Sequence, residues 1–382
     1  MRIGIDCRKF YDAHANNGAG VERFVYHLVR TMLALDQKND FVLFFYTDIS
    51  PETIHKVRAN NPRVKIVKLF KTKSRIPLFD NHFRFSQLLN KENLDITIFP
   101  ANVIPLFFRG KSILVIHDLS IYLHPEWFPE RQWFATKFLV PRSLNQATKI
   151  VTVSESTKKD LNRLFGVPTE NVTVVYPGII VKEKYIKEEV DKVKRKFDIE
   201  GDYLLFIGTI EPRKNILKMV QAFSNYLFEN EKSKLTLVLA GAKGWKFQPI
   251  FQFLNDANKR LDAVRIKYVG KVSNRERNIL LKNCQAFVFP SRYEGFGFPV
   301  LEAMALGVPV MTGNNSSLAE VVGDAALLVD AEDISELRRG IARLAMDKGL
   351  QVELVAKGIE RAKLFTWEKT AKKFLEILAT RL

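Results

Sequence analysis

The stretch Ser291-Arg-Tyr-Glu-Gly-Phe-Gly-Phe-Pro-Val-Leu-Glu-Ala-Met-Ala-Leu-Gly307 decides how this chain is read. It follows a short apolar run, Ala286–Phe289, and its second half is helical in character from Pro299 to Leu306. Proline suits the first turn of a helix, where its missing N–H deprives no partner. A helix start exposes unsatisfied N–H groups and the positive end of the peptide dipoles, which together favour an anion. Gly295 and Gly297 let a ligand approach the main chain closely. Glu294 stands just before the helix and Glu302 about one turn inside it. The segment therefore presents an anion site between two carboxylate acceptors.

Further upstream, Tyr203–Ile207 predicts a strand, followed by Gly208-Thr-Ile-Glu-Pro-Arg-Lys-Asn215 and a helical run, Ile216–Glu229. Arg213 and Lys214 thus fall at the carboxyl end of a strand, directly before a helix. A guanidinium forks onto two phosphate oxygens, and an ammonium acts as a compact point charge. Two cations are unfavourable at a helix N-terminus, so the pair asks for a compensating anion. A diphosphate flanked by a ribose diol and a hexose matches the combined pattern.

Strand–helix alternation runs through the whole chain. Strands are expected at Ile3–Asp6, Phe41–Tyr46, Val64–Leu69, Ile96–Phe99, Ile113–Ile116, Ile150–Val153 and Val172–Val175. A second set follows at Tyr203–Ile207, Leu235–Ala240, Ile266–Val269, Ala286–Phe289, Val308–Thr312 and Ala325–Val329. Helical patterns include Val21–Leu35, Glu130–Gln146, Asn274–Lys282 and Ser335–Met346. This predicts an α/β protein with parallel sheets covered on both faces, and 382 residues accommodate two such domains. The join is placed in Gly178–Asp202, where residues 182–197 read as a charged surface helix. The domains are therefore expected at residues 1–181 and 182–365, with an amphipathic helix in 366–382.

Hydrophobic residues make up 47% of the chain, enough for full cores, and no apolar run reaches the length of a membrane span. The N-terminus turns polar by Asp6 and reads as a strand instead of a signal peptide. Cys7 and Cys284 are far apart and suggest neither a disulfide framework nor a metal site. A reducing cytoplasm is the expected home. The net charge of +17 suits an anionic substrate, a polyanion or an anionic membrane face. It is spread evenly: residues 1–181 hold 25 basic and 16 acidic side chains, and the remainder holds 34 and 26. A dedicated basic tail is thereby disfavoured. Peripheral attachment to the inner face of the cell membrane stays open, each basic residue near anionic lipid contributing about 1 kcal/mol.

Taken together, Gly208–Asn215, Pro290–Glu302 and Ala305-Leu-Gly-Val-Pro-Val310 resemble glycosyltransferase family 4, and in particular its mannosyltransferase B-like branch. The resemblance covers nearly the whole chain and is strongest in the second half. It implies a GT-B fold, with two Rossmann-like doubly wound domains facing a central cleft. It also implies a retaining transfer, no metal or other cofactor, and a nucleotide-sugar donor, with GDP-mannose favoured by the branch and UDP-sugars open. By the same resemblance Arg213 and Lys214 hold the donor phosphates and Glu294 binds sugar hydroxyls at the reacting carbon. Phe296 and Gly297 offer N–H groups to the sugar, Phe298, Pro299, Val300 and Leu301 shape the phosphate site, and Glu302 takes the ribose. Val272, in Gly270-Lys-Val-Ser273, lies where the base is contacted. Gly18 and Gly20 belong to a Gly-rich loop that closes over the donor and acceptor, and His117 sits beside the sugar as a hydrogen-bond donor or mediator of the transfer.

Acceptor recognition, of a glycan or a lipid-linked glycan, is expected in the first domain. Asp118, His124 and Trp127 are its candidates, within two stretches that mix aromatic and basic residues, Lys68–Phe85 and Tyr122–Phe134. The same fold also hosts nucleotide-sugar epimerases and phosphorylases. Outside enzymes, a membrane or polyanion binder would show salt-sensitive binding and indifference to Glu294→Ala. A transferase would lose activity in that variant, with the fold expected to stay intact. Nucleic acid is not an expected partner.

Overall fold

Short runs of Val, Ile, Leu and Phe build the strands, and most are buried on both faces, as parallel sheets between helical layers require. The computed structural model describes residues 1–10, 20–47, 49–69, 79–180 and 185–380, and only the backbone of 130–135. Gly18 therefore lies outside the described residues, as does the 70–78 part of the Lys68–Phe85 stretch. The chain groups into two units. One comprises Met1–Leu123, Glu130–Gly178 and Phe365–Leu382; the other comprises His124–Pro129 and Ile179–Leu364.

Among the described residues the first unit has seven parallel strands. They are β1 (Arg2–Asp6), β2 (Asp40–Tyr46), β3 (Val64–Leu69), β4 (Ile96–Phe99), β5 (Ser112–Ile116), β6 (Lys149–Thr152) and β7 (Val172–Val174). Their order is β3-β2-β1-β4-β5-β6-β7, so the winding reverses between β1 and β4. Helices α1 (Gly20–Leu35), α2 (Pro51–Arg58), α3 (Phe85–Lys91), α4 (Ser120–Leu123), α5 (Glu130–Gln146) and α6 (Glu155–Phe165) connect them. Helix α1 buries Phe24, Leu28, Val29 and Met32, the stripe expected of a helix laid on a sheet.

The second unit repeats the plan with β8 (Tyr203–Ile207), β9 (Thr236–Ala240), β10 (Ile266–Gly270), β11 (Ala286–Phe289), β12 (Val310–Gly313) and β13 (Leu327–Val329). Their order is β10-β9-β8-β11-β12-β13, reversing between β8 and β11. The helices are α7 (Lys187–Lys196), α8 (Ile216–Glu229), α9 (Gln248–Arg260), α10 (Asn274–Lys282), α11 (Phe298–Ala305), α12 (Ser316–Val322), α13 (Ile334–Met346) and α14 (Lys348–Ala362). Strand β12 starts two residues later than expected. The Val308 N–H closes the end of α11 on the Ala303 carbonyl at 3.0 Å, and Pro309 has no N–H for the ladder. Strand β13 likewise starts after a turn in which Ala325 N–H bonds the Val322 carbonyl.

The last helix, α15 (Trp367–Ala379), belongs to the first unit. Thr366 caps it by accepting the Lys369 N–H. Its Trp367 ring stacks on His27 of α1 at 5.1 Å and meets Phe24 edge-on at 5.8 Å. Phe365, just before it, packs on Tyr176, so the return to the first unit begins at Phe365.

Burial holds three histidines of the first unit neutral. His27, His82 and His117 are each lowered to about 4, chiefly by desolvation, with Arg23 and Arg30 adding to the effect at His27 and Arg8 at His82. Below the ordinary histidine value of 6.5 the unfolded chain takes up three protons that the folded one refuses until about pH 4. Stability therefore falls as the pH drops through this window, by up to about 4 kcal/mol per pH unit. Urea unfolding of the first unit at pH 7, 6 and 5 should show this slope, and His27→Gln should reduce it by roughly a third.

Candidate active site

Strands β8 and β11 are the neighbours at which the second sheet reverses, and ligands of doubly wound sheets bind at such strand ends. Beyond β8 the chain passes Gly208 and a 3-10 turn, Pro212–Lys214, into α8. A Cβ on Gly241 would lie 1.9 Å from the Gly208 carbonyl oxygen, so glycine is needed where β8 and β9 end. The Ile210 N–H bonds the Ala242 carbonyl at 2.8 Å, pinning the loop that carries Arg213 and Lys214. Beyond β11, Pro290–Gly297 leads into α11. The two loops are tied together by the Arg292 N–H on the Arg213 carbonyl at 2.9 Å.

Four charged side chains meet here. Lys214 Nζ is paired with Glu294 Oε1. Arg213 Nη1 lies 3.2 Å from Glu294 Oε2, and its Nη2 lies 2.9 Å from Glu211 Oε1. The Ser291 hydroxyl donates to Glu294 Oε1 at 2.7 Å. The Glu294 backbone is held as well: its N–H donates to Ser316 Oγ at 3.0 Å and its carbonyl accepts from Ser317 Oγ at 2.8 Å. Glu211, Lys214 and Glu294 are buried, and Arg213 is the most open of the four. Burial and the charge of Arg213 push the Lys214 ammonium below the ordinary lysine value, against Glu294 and Glu211. Burial raises the Glu294 carboxyl, but Lys214 and Arg213 outweigh it and hold the group below the usual carboxylate range. The cations thus already have their counter-charges in Glu211 and Glu294. Contrary to the expectation from sequence, the basic pair therefore does not require a ligand anion for its charge to be balanced.

Glu302 is buried in the second turn of α11, and Arg277 of α10 forms an ion pair with it. Helix α11 starts at Phe298, one residue earlier than expected, with Gly297 as its N-cap at φ +99° and Pro299 in its first turn. A Cβ on Gly297 would meet Leu318 at 2.8 Å. The Val300 N–H is engaged by the Gly297 carbonyl at 3.2 Å, and the Val300 and Leu301 side chains are core. Phe296 is buried and sets its ring edge-on to Phe298 at 5.1 Å. Val272 lies in the short loop between β10 and α10, where Ser273 and Glu276 form a capping box. One helix therefore links that loop to Glu302 through Arg277.

In the first unit, His117 follows β5. Its Nε2 donates to the Pro100 carbonyl at 2.7 Å, and its ring meets Phe24 edge-on. Asp118 is engaged in starting α4, accepting the Ser120 N–H and hydroxyl. Gly20 is the first residue of α1. His124 and Trp127 stack at 3.8 Å, and Trp127 is buried. Their segment groups with the second unit, Glu126 accepting from Lys246 and Phe128 packing on Trp245. This differs from the expectation that both serve the first domain: the rings of Phe128 and Trp245 draw the segment away. Arg277, Glu211, Ser291, Ser316 and Ser317 were given no role from sequence. The polar run Asn314–Ser317 at the end of β12 was the available signal for the last two.

Residues 169–363 match the family model for glycosyl transferases group 1, and residues 18–183 match that for glycosyltransferase family 4. The chain belongs to this family and is a glycosyltransferase. It is similar to the O-antigen chain mannosyltransferase B of Escherichia coli, with 34% identity over 262 residues, 68% of this chain and 67% of that one. The serotype-specific mannosyltransferase WbdA of Escherichia coli is 27% identical over 287 residues, 72% of this chain but 34% of that protein. HepE of Anabaena, solved in complex with UDP and glucose, superposes with a TM-score of 0.75 at 16% identity, covering 100% of both chains. WaaG, a glycosyltransferase involved in lipopolysaccharide biosynthesis, gives 0.71 at 14% identity over 99% of this chain and 100% of that one. The likeness shows the GT-B fold, built here from two Rossmann-like doubly wound units.

Glu294→Ala would leave Lys214 buried without its partner and should cost about 3–5 kcal/mol. The expectation that this variant keeps its fold intact is therefore withdrawn. Glu294→Gln, which preserves the hydrogen-bonding shape, is expected to unfold at a higher urea concentration than Glu294→Ala.

Proposed function

We propose that the chain is a retaining, metal-independent hexosyltransferase that moves mannose from GDP-mannose onto a glycan or lipid-linked acceptor in polysaccharide assembly. The observation that carries this is the Arg213–Lys214–Glu294 network at the reversal point of the second sheet, beside the start of α11. Similarity to mannosyltransferase B supports the choice of sugar and of pathway.

In this mechanism the bond from the anomeric carbon to the diphosphate oxygen breaks first. Positive charge develops on the sugar ring and negative charge on the departing diphosphate. Lys214 and Arg213 stabilise the diphosphate more as its charge grows, which is what lowers a barrier. The charge they provide is the reason the reading needs no metal. Glu294 keeps both cations in place and offers a carboxylate to the sugar hydroxyls. Glu302, oriented by Arg277, accepts from the ribose diol. Both carboxylates are ion-paired, which favours attack from the leaving-group face over a covalent glycosyl-enzyme. The acceptor hydroxyl then bonds to the anomeric carbon and passes its proton to the leaving phosphate oxygen.

No helix among the described residues is long and apolar enough to cross a membrane. Work at the inner membrane face is favoured by an exposed aromatic group on the first unit. Phe79 stacks on Phe83 at 5.4 Å and Phe83 meets Phe107 edge-on, with Arg84 and Arg109 adjacent in sequence.

A thermal-shift panel of GDP-mannose, GDP, UDP-glucose and UDP tests the donor. GDP-mannose at a hundred times its Kd should add about 2.7 kcal/mol of stability. No stabilisation by any nucleotide sugar would sink the proposal, and preference for UDP-glucose would replace the donor. Arg213→Ala should lower kcat roughly a hundredfold or more, and Arg277→Ala should chiefly raise the KM for the donor.

A further inference from the structure

The first sheet has a reversal point of its own, between β1 and β4, and a cavity of about 300 Å³ opens beside it. Asp6, the last residue of β1, accepts three bonds from Arg8: the backbone N–H to Oδ1 at 3.1 Å, Nε to Oδ1 at 2.9 Å and Nη2 to Oδ2 at 2.8 Å. The guanidinium lies over the Phe85 ring at 3.7 Å and donates from Nη1 to the Asn81 side chain at 3.2 Å. The Tyr46 hydroxyl donates to the same Asn81 oxygen at 2.5 Å. Two donors on Oδ1 settle which way the Asn81 amide faces. Its Nδ2 has no partner among the described residues.

His82 is the second open donor. Its Nδ1 accepts the Leu106 N–H at 3.3 Å, so the neutral ring carries its proton on Nε2. That N–H also has no partner among the described residues, and the ring lines the cavity. The lining also has an apolar part, from Val103, Pro105 and Leu139. Asp6 and Arg8 cancel each other and His82 is neutral. Lys9 is exposed at the edge, where solvent screens its charge.

This chemistry suits a polyol with one apolar face. Its hydroxyls would meet Asn81 Nδ2, His82 Nε2–H and the remaining lone pair of Asp6 Oδ2, while its C–H face packs on the apolar part of the lining. A phosphate would sit beside the Asp6 carboxylate with Arg8 already engaged. The volume is at the low end of small-molecule sites and matches a single sugar ring.

We propose that this cavity is a subsite for one uncharged pyranose ring of the acceptor. The inference rests on the glycosyltransferase reading above and adds the chemical class of the acceptor at this position, a neutral saccharide as opposed to a phosphorylated group. The test uses the full chain, titrated with methyl α-mannoside and with mannose 1-phosphate and followed by NMR of the His82 ring signals. The glycoside should shift those signals and bind at least tenfold more tightly than the phosphate ester. Asn81→Leu should weaken glycoside binding at least tenfold while stabilisation by the nucleotide sugar is unchanged. If Asn81→Leu does not fold, Val103→Phe, which fills the cavity from its apolar wall, serves in its place and should weaken binding equally. Binding of the phosphate ester as tightly as the glycoside, glycoside binding indifferent to these variants, or no glycoside binding would overturn the subsite. Loss of the functional reading would look different: glycoside binding would persist and no nucleotide sugar would stabilise the chain.

Discussion

The second unit depends on a buried quartet of charge in which two cations share two carboxylates. Burying any one of Arg213, Lys214, Glu211 or Glu294 alone would cost several kcal/mol. Together they form a set without net charge, fixed by Ser291, Ser316 and Ser317. The quartet also joins two loops that leave different strands, β8 and β11, so the geometry of the strand ends and the geometry of the site are one constraint. A replacement that left the cations without carboxylates would expel them toward water and pull the loops apart with them.

Most of the architecture could be read along the chain because parallel strands buried on both faces are short uninterrupted apolar runs. Tyr203–Ile207 and Ala286–Phe289 were bounded to the residue. The errors sit where a local turn hydrogen bond decides, as at Val308, which closes α11 before β12 begins. The site was legible in part. Arg213, Lys214 and Glu294 stand in one motif each, and strand-end logic brings them near one another. Their direct pairing was not visible, because an ion pair about eighty positions apart in sequence leaves no local pattern. Arg277 was hidden for the same reason: on α10 it is one of several basic residues, and only its ion pair with Glu302 of α11 singles it out.

The two units solve a similar problem with opposite electrostatics. At the reversal of the second sheet, the donors are a guanidinium and an ammonium whose charge is balanced by fixed acids. At the reversal of the first, Asp6 and Arg8 cancel, and the groups left open are an amide and a neutral imidazole. A diphosphate and an uncharged sugar differ in the same way. The difference follows from sequence: the β8 loop has two adjacent basic residues, whereas the β1 loop places its arginine two positions from an aspartate, near enough to be neutralised by it.

Balanced charge at the second site bears on how a leaving group is stabilised. A naked pair of cations would hold the ground-state diphosphate tightly, and uniform binding of that kind does not raise kcat. Cations already paired with Glu211 and Glu294 attract the ground state less. In the proposed transfer they would respond as additional negative charge develops, the Arg213 and Lys214 donors turning from the carboxylates toward the phosphate oxygens. Depression of the Lys214 ammonium by burial and by Arg213 works in the same direction. In the proposed transfer it would strengthen the hydrogen bond that Lys214 gives to a phosphate oxygen as that oxygen gains charge, while the proton itself comes from the acceptor hydroxyl.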